Sequence, residues 1–200
     1  MEAESSPGAV SPREPTRRLF LALWPDEPMR EAMLAAIRKS VRASGGRPVP
    51  APNLHVTMTF LGSVAERRLG ELAEAARAAA PGPQAAPLGL SFDHLEYWRA
   101  AQLLCAAPAE PSEPAAALAG RLQARLAEGG FAPDLKPFRP HVTVVRKVLR
   151  PGPIGKMHPV LWSFTHLALV ESRTLPEGPL YSVVESYALC SAPEILQERD

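Results

Sequence analysis

The tripeptide His-Val-Thr occurs twice, at His55–Thr57 within NLHVTMTFLG and at His141–Thr143 within RPHVTVVRKV, 86 residues apart. Other landmarks recur at or near the same offset. The triplet Asp26-Glu27-Pro28 lies over Ser112-Glu113-Pro114, and each supplies an N-cap residue, then a Glu and a Pro for a first helical turn. An apolar run precedes each triplet, RLFLALWP from Arg18 and QLLCAAPA from Gln102, both short and bounded like strands. A helix follows each, with Met29, Met33, Ile37 and Val41 on one face of the first and Leu118, Leu122 and Leu126 on one face of the second. Then come a glycine pair, Gly45-Gly46 or Gly129-Gly130, a Pro-bearing loop and the HVT strand.

Such a duplication predicts an α+β protein of two similar lobes packed about a pseudo-twofold axis, with equivalent positions facing each other across a groove. A further helix near 66–80 and a strand near 88–97 are expected after the first copy, and strands near 162–172 and 180–190 after the second. Side chains two apart on a strand share a face, so His55, Thr57, His141 and Thr143 should converge in the groove. The residues between them, Met58, Phe60, Val142 and Val144, are expected in the core.

With 200 residues, 46% of them hydrophobic, the chain can bury one core but is short for two independent domains. The expected division is a disordered tail over 1–16, a single bilobal domain over 17–191 and a C-terminal tail over 192–200. The start, MEAESSPGAVSPREPT, has no basic segment leading into an apolar one and so does not read as a secretory signal. No stretch is apolar for the roughly 18 residues that a membrane span needs. Cys105 and Cys190 lie in apolar strand-like runs, away from the HVT strands, which suits buried thiols in a reducing compartment. A cytoplasmic protein, monomeric and free of membrane, is the expectation.

Two histidines and two hydroxyls, with no carboxylate at matching positions, suit an anionic substrate that loses one proton and gains another. A phosphodiester meets both conditions. A neutral imidazole can take a proton from water while a protonated one gives a proton to the leaving oxygen, each near its ordinary pKa of about 6.5. The formal net charge of +1 decides nothing globally, but from Leu135 to Val170 there is no Asp or Glu, while Lys136, Arg139, Arg146, Lys147, Arg150 and Lys156 fall there. Most read as a solvated rim. Arg146, three residues past Thr143, is the one whose fork could reach a phosphate. A metal site would add Asp, Glu, Cys or a third His near the motifs, and His94, His158 and His166 lack such spacing, so no metal is expected. Trp24, Phe60, Trp98 and Phe138 are candidates for base stacking, although core is the commoner place for such rings.

These residues resemble the two-histidine phosphoesterases, and within them the RNA 2',3'-cyclic phosphodiesterases, also called 2'-5' RNA ligases. The resemblance rests on LHVTMTFLG, KPFRPHVTVVRK, the opening RLFLALWP, the lead-in GRPVPAPNLHVT, and a late LVES with Tyr181. It runs from about Arg18 to Leu189. The Ala- and Pro-rich stretch from Ala106 to Pro114 departs from the family pattern. The resemblance implies the bilobal fold around a central cleft and hydrolysis of a 2',3'-cyclic phosphate that leaves the phosphate on the 2'-oxygen. His55 would protonate the departing 3'-oxygen and His141 would activate water, while Thr57, Thr143 and Arg146 would hold the phosphate. No metal or nucleotide cofactor is implied. The reverse reaction, joining a 5'-hydroxyl to the cyclic end, gives the family its older name. A small cyclic nucleotide as substrate, or a protein that only binds RNA ends, remains compatible with the residues.

Overall fold

The computed structural model describes residues 14–82, 85–133, 136–152, 154–176 and 178–190. Most of both expected tails therefore lies outside the described residues. Nine strands form one sheet: β1 (Thr16–Leu23), β2 (Arg47–Pro48), β3 (Val56–Ala65), β4 (Leu88–Trp98), β5 (Leu103–Ala107), β6 (Val142–Arg146), β7 (Gly155–Phe164), β8 (His166–Leu175) and β9 (Gly178–Ala188). Among the described residues three α-helices accompany these strands, α1 (Glu27–Ala43), α2 (Leu69–Ala79) and α3 (Glu113–Glu128).

Both capping triplets start their helices as written. The Asp26 side chain accepts from the Met29 N–H at 2.9 Å and the Ser112 hydroxyl from the Ala115 N–H at 3.4 Å. The glycine pairs end them: Gly45 and Gly130 hold φ of 61° and 68°, left-handed values that suit a residue without Cβ just past a helix. Met33 and Ile37 of α1 and Leu118, Leu122 and Leu126 of α3 are buried in the main core.

The strand order β7-β4-β5-β6-β3-β1-β8-β9, all antiparallel, is symmetric about the β6/β3 seam. The two lobes are thus two halves of one sheet, joined at the bridge Val56–Val142. The chain does not divide between them in sequence order. Strand β4, which follows the first copy, pairs with β5 of the second half, whereas β8 and β9 cross back to cover β1 of the first. The strand expected over 162–172 is in fact two, since the chain turns at Thr165 between β7 and β8, and β7 has no counterpart in the sequence reading. The helices cross over as well: α1 packs on β6 and β7, and α3 on β3 and α2.

A bulge sits at the same place in both halves. The register slips between Leu21 and Ala22 where β1 meets β3, leaving Met58 as the extra residue, and between Leu104 and Cys105 where β5 meets β6, leaving Val144 as the extra one. A bulge adds one residue and reverses the alternation beyond it. Met58, Val142 and Val144 are buried as expected, but Phe60 is 53% exposed and lines the cleft instead of the core. The same reversal turns Arg146 onto the face of Thr143, from which strict alternation would have excluded it.

Candidate functional site

His55, Thr57, His141, Thr143 and Arg146 all line one cleft of about 610 Å³. Continuing the antiparallel register of the Val56–Val142 bridge sets His55 opposite Thr143 and Thr57 opposite His141. The two valines point into the core and the four polar residues into the cleft.

Both imidazoles are held by the same device. The His55 Nδ1–H donates to the Asn53 carbonyl at 2.8 Å, and the His141 Nδ1–H to the Arg139 carbonyl at 2.8 Å. A carbonyl can only accept, so each ring keeps its proton on Nδ1 and presents Nε2 for proton transfer. The Nε2 of His55 lies 3.0 Å from the Thr57 hydroxyl, which donates to it while the ring is neutral.

Beyond this shared anchor the surroundings differ. His55 sits in a box of rings, stacked on Trp24 (centroids 5.4 Å apart, 19° between planes) and flanked by Phe20 at 5.0 Å and edge-on Tyr181 at 5.3 Å. His141 lies under the Trp98 indole at 4.3 Å. Burial pushes the His55 imidazole down to about 4, against the Asn53 hydrogen bond, and the positive Arg146 and His141 add to the fall. His141 is also held below the ordinary 6.5, again chiefly by burial, with the Arg139 carbonyl bond and the Glu96 carboxylate pulling the other way and the Arg139 and Arg146 guanidinium groups lowering it further. The sequence alone led us to expect each imidazole near its ordinary value; burial in the cleft holds both below it. The rings that desolvate them come from β1, β4 and β9, remote in sequence.

Two further corrections belong to this neighbourhood. Cys105 is not away from the HVT strands: it pairs with Thr143, and its Sγ lies 4.0 Å from the Thr143 hydroxyl oxygen. Burial pushes its thiol up to about 12, so it is not a nucleophile. A carboxylate does stand close by, Glu96 from β4. His94 is a hydrogen-bonded structural histidine, its ring bracketed by Asp93 and Glu96 at 2.8 and 3.0 Å. Glu96 and Trp98 share one face of β4 by simple alternation, a signal that a cleft-side reading of that strand could have used. Trp98 and Phe60 line the cleft, as do Arg18, Arg139 and Tyr181, which the sequence left as rim charge or as family pattern. Among the described residues, no three His, Cys, Asp or Glu side chains are grouped to hold a metal ion, and no helix is long and apolar enough to cross a membrane.

A curated protein of Thermus thermophilus named RNA 2',3'-cyclic phosphodiesterase is 34% identical over 195 residues, covering 86% of this chain and 90% of its own. One of the same name from Escherichia coli is 30% identical over 131 residues, covering 65% and 72%. The crystal structure of E. coli LigT complexed with 3'-AMP superposes with a TM-score of 0.77 at 25% identity, over 88% of this chain and 99% of that one. Residues 24–174 match the sequence model of the 2'-5' RNA ligase superfamily, and the chain belongs to that superfamily.

Proposed function

We propose that the protein is a metal-independent hydrolase of RNA 2',3'-cyclic phosphate ends, with His55 and His141 as its acid and base. The observation that carries this reading is the matched pair of imidazoles, each pinned through Nδ1 to a carbonyl two residues upstream and each offering Nε2 to one cleft. The names of the curated relatives support the substrate. In the reaction, His141 Nε2 takes a proton from water, the water oxygen bonds to phosphorus, and the bond to the 3'-oxygen breaks as that oxygen takes a proton from His55 Nε2. The product carries a 2'-phosphate and a free 3'-hydroxyl. Thr57, Thr143 and Arg146 hold the non-bridging oxygens. Because both imidazoles rest below 6.5, the anionic phosphate is what restores a proton to the cleft, by offsetting the positive field of Arg146. Both halves of the site come from one chain, which supports a monomer, and two free buried cysteines support a reducing, cytoplasmic setting.

The purified protein should convert RNA ending in a 2',3'-cyclic phosphate to the 2'-phosphate in excess EDTA. Loss of activity on chelation, recovered with one divalent metal, would overturn the mechanism; binding without turnover would make the protein an RNA-end binder; preference for a cyclic mononucleotide would replace RNA as substrate. The reverse reaction is assayed by supplying a 5'-hydroxyl end.

The depressed imidazoles set the pH dependence. The active free form carries one proton on the pair, so kcat/KM should be bell-shaped with a rising limb near pH 4 and a falling limb below 6.5, values that belong to the pair. A falling limb at or above pH 7 in the pH–rate profile would contradict the desolvated cleft.

Arg146→Ala should raise KM for the cyclic phosphate and weaken product binding by roughly 10-fold or more, the scale of a lost charge-assisted contact. Arg150, exposed beyond β6, should matter far less. Equal losses from the two substitutions in steady-state kinetics would mean that a diffuse positive field holds the phosphate.

A further inference from the structure

Glu96 gathers the surroundings of His141 onto one carboxylate. Its oxygens accept from the Trp98 Nε1–H at 3.0 Å, from Arg139 Nη2 at 2.6 and 2.7 Å, and from His94 Nε2 at 3.0 Å. Each of these leads onward. The Trp98 ring lies against His141, the Arg139 guanidinium sits 5.3 Å over the Trp98 ring, and the Arg139 carbonyl anchors His141 Nδ1. On the far side Asp93 accepts from His94 Nδ1–H at 2.8 Å and from the Ala109 N–H at 2.9 Å, which fixes the other end of the chain of contacts.

The sheet symmetry shows that this arrangement is confined to one half. Thr143 pairs with Cys105, and Cys105 with Glu96; at the equivalent places Thr57 pairs with Ala22, and Ala22 with Ala168. Where the second half holds a carboxylate, the first holds a methyl group within an apolar cluster of Phe20, Ala22, Ala168 and Val170. An otherwise symmetric fold has therefore been given one acidic position, on the side of the imidazole that must accept a proton from water.

We infer that Glu96 is a positioning residue for His141: it locks the Trp98 ring and the Arg139 carbonyl in place around the imidazole and favours the charged form that arises when His141 takes a proton. This rests on the proposed acid–base reading of the two histidines. Burial first pushes the Glu96 carboxyl upward, but the donors Trp98, His94 and Arg139 outweigh it and the group lies below the usual carboxylate range. Asp93 first and then Glu96 raise His94, against its burial, which favours the imidazolium that donates to both carboxylates. Among the described residues that line this cleft, Lys136, Arg18 and His55 add no negative charge, the Arg139 and Arg146 guanidinium groups oppose a proton on His141, and the Glu96 carboxylate favours it.

Glu96→Gln keeps the shape and one acceptor oxygen, replaces the other oxygen by an NH2 donor and removes the charge. In ¹⁵N NMR titrations of the free protein it should lower the pKa of His141 and leave that of His55 where it was, with the thermal midpoint near the parent's. In turnover it should lower kcat about 10-fold, the scale on which outer partners of a histidine act in metal sites, with a smaller change in KM. Trp98→Phe, which keeps a smaller ring beside His141 but frees it from Glu96 while leaving the carboxylate charge, should lower the His141 pKa by less than Glu96→Gln does. An unchanged His141 titration in Glu96→Gln, equal shifts at both histidines, or the same His141 shift in Trp98→Phe would each overturn the inference. The titration needs no substrate, so it stands or falls separately from the hydrolase reading, whose failure would show as absent turnover in the parent protein.

Discussion

Replacing either His55 or His141 by alanine should lower kcat by roughly 10² to 10⁴, the range of a lost general acid or base, with little change in thermal midpoint. Both rings border the cleft and neither belongs to the main core cluster. Each gives the fold a hydrogen bond to a carbonyl two residues upstream, and His55 a second to the Thr57 hydroxyl beside its ring contacts, each bond being worth about 1 kcal/mol net. That is small beside the rate loss expected from removing a proton carrier. Calorimetry alongside single-turnover rates checks it: a stability loss in proportion to the rate loss would mean that the histidines hold the cleft and do not react.

The second large effect separates the two roles. A leaving oxygen needs a proton, whereas sulfur leaves readily without one, so a substrate with sulfur at the 3'-position should restore most of the rate lost in His55→Ala. It should do little for His141→Ala, in which water still lacks its base. Their surroundings fit this division. The ring box that holds His55 near 4 makes its proton easy to give once the phosphate has supplied it, and the carboxylate beside His141 favours the proton that it must accept. Rescue of His141→Ala alone would exchange the roles and leave the two-histidine chemistry intact.

The elements most readable in the sequence are those whose causes are local. Asp26 and Ser112 write two helix starts, the glycine pairs two helix ends, and the HVT repeats two strands with four cleft-facing residues. Arg146 stands out by its place three residues past Thr143 in a stretch without acidic residues, and the family pattern agrees. What local patterning does not carry is the bulge, which depends on how β1 and β5 pair with the HVT strands. Without it, alternation places Phe60 in the core and Arg146 on the wrong face, and Phe60 was misread for that reason. The partition of strands between halves is equally nonlocal, since nothing within 162–190 says that β8 will pair with β1. Glu96 escaped notice because its meaning comes entirely from partners at 94, 98 and 139 that converge in space.

The return of β8 and β9 to the first half has a consequence for how the protein is made. Leu19 must wait for Glu171, so β1 pairs with a strand synthesised much later, a long loop closure of the kind that slows folding. A nascent chain that has emerged through β7 already carries both histidines, yet β1 then has a bare apolar edge and His55 lacks the Tyr181 wall of its box. Such an edge invites association with other chains. Termination of synthesis before β8 should thus yield a product with an open sheet edge and an incomplete box around His55.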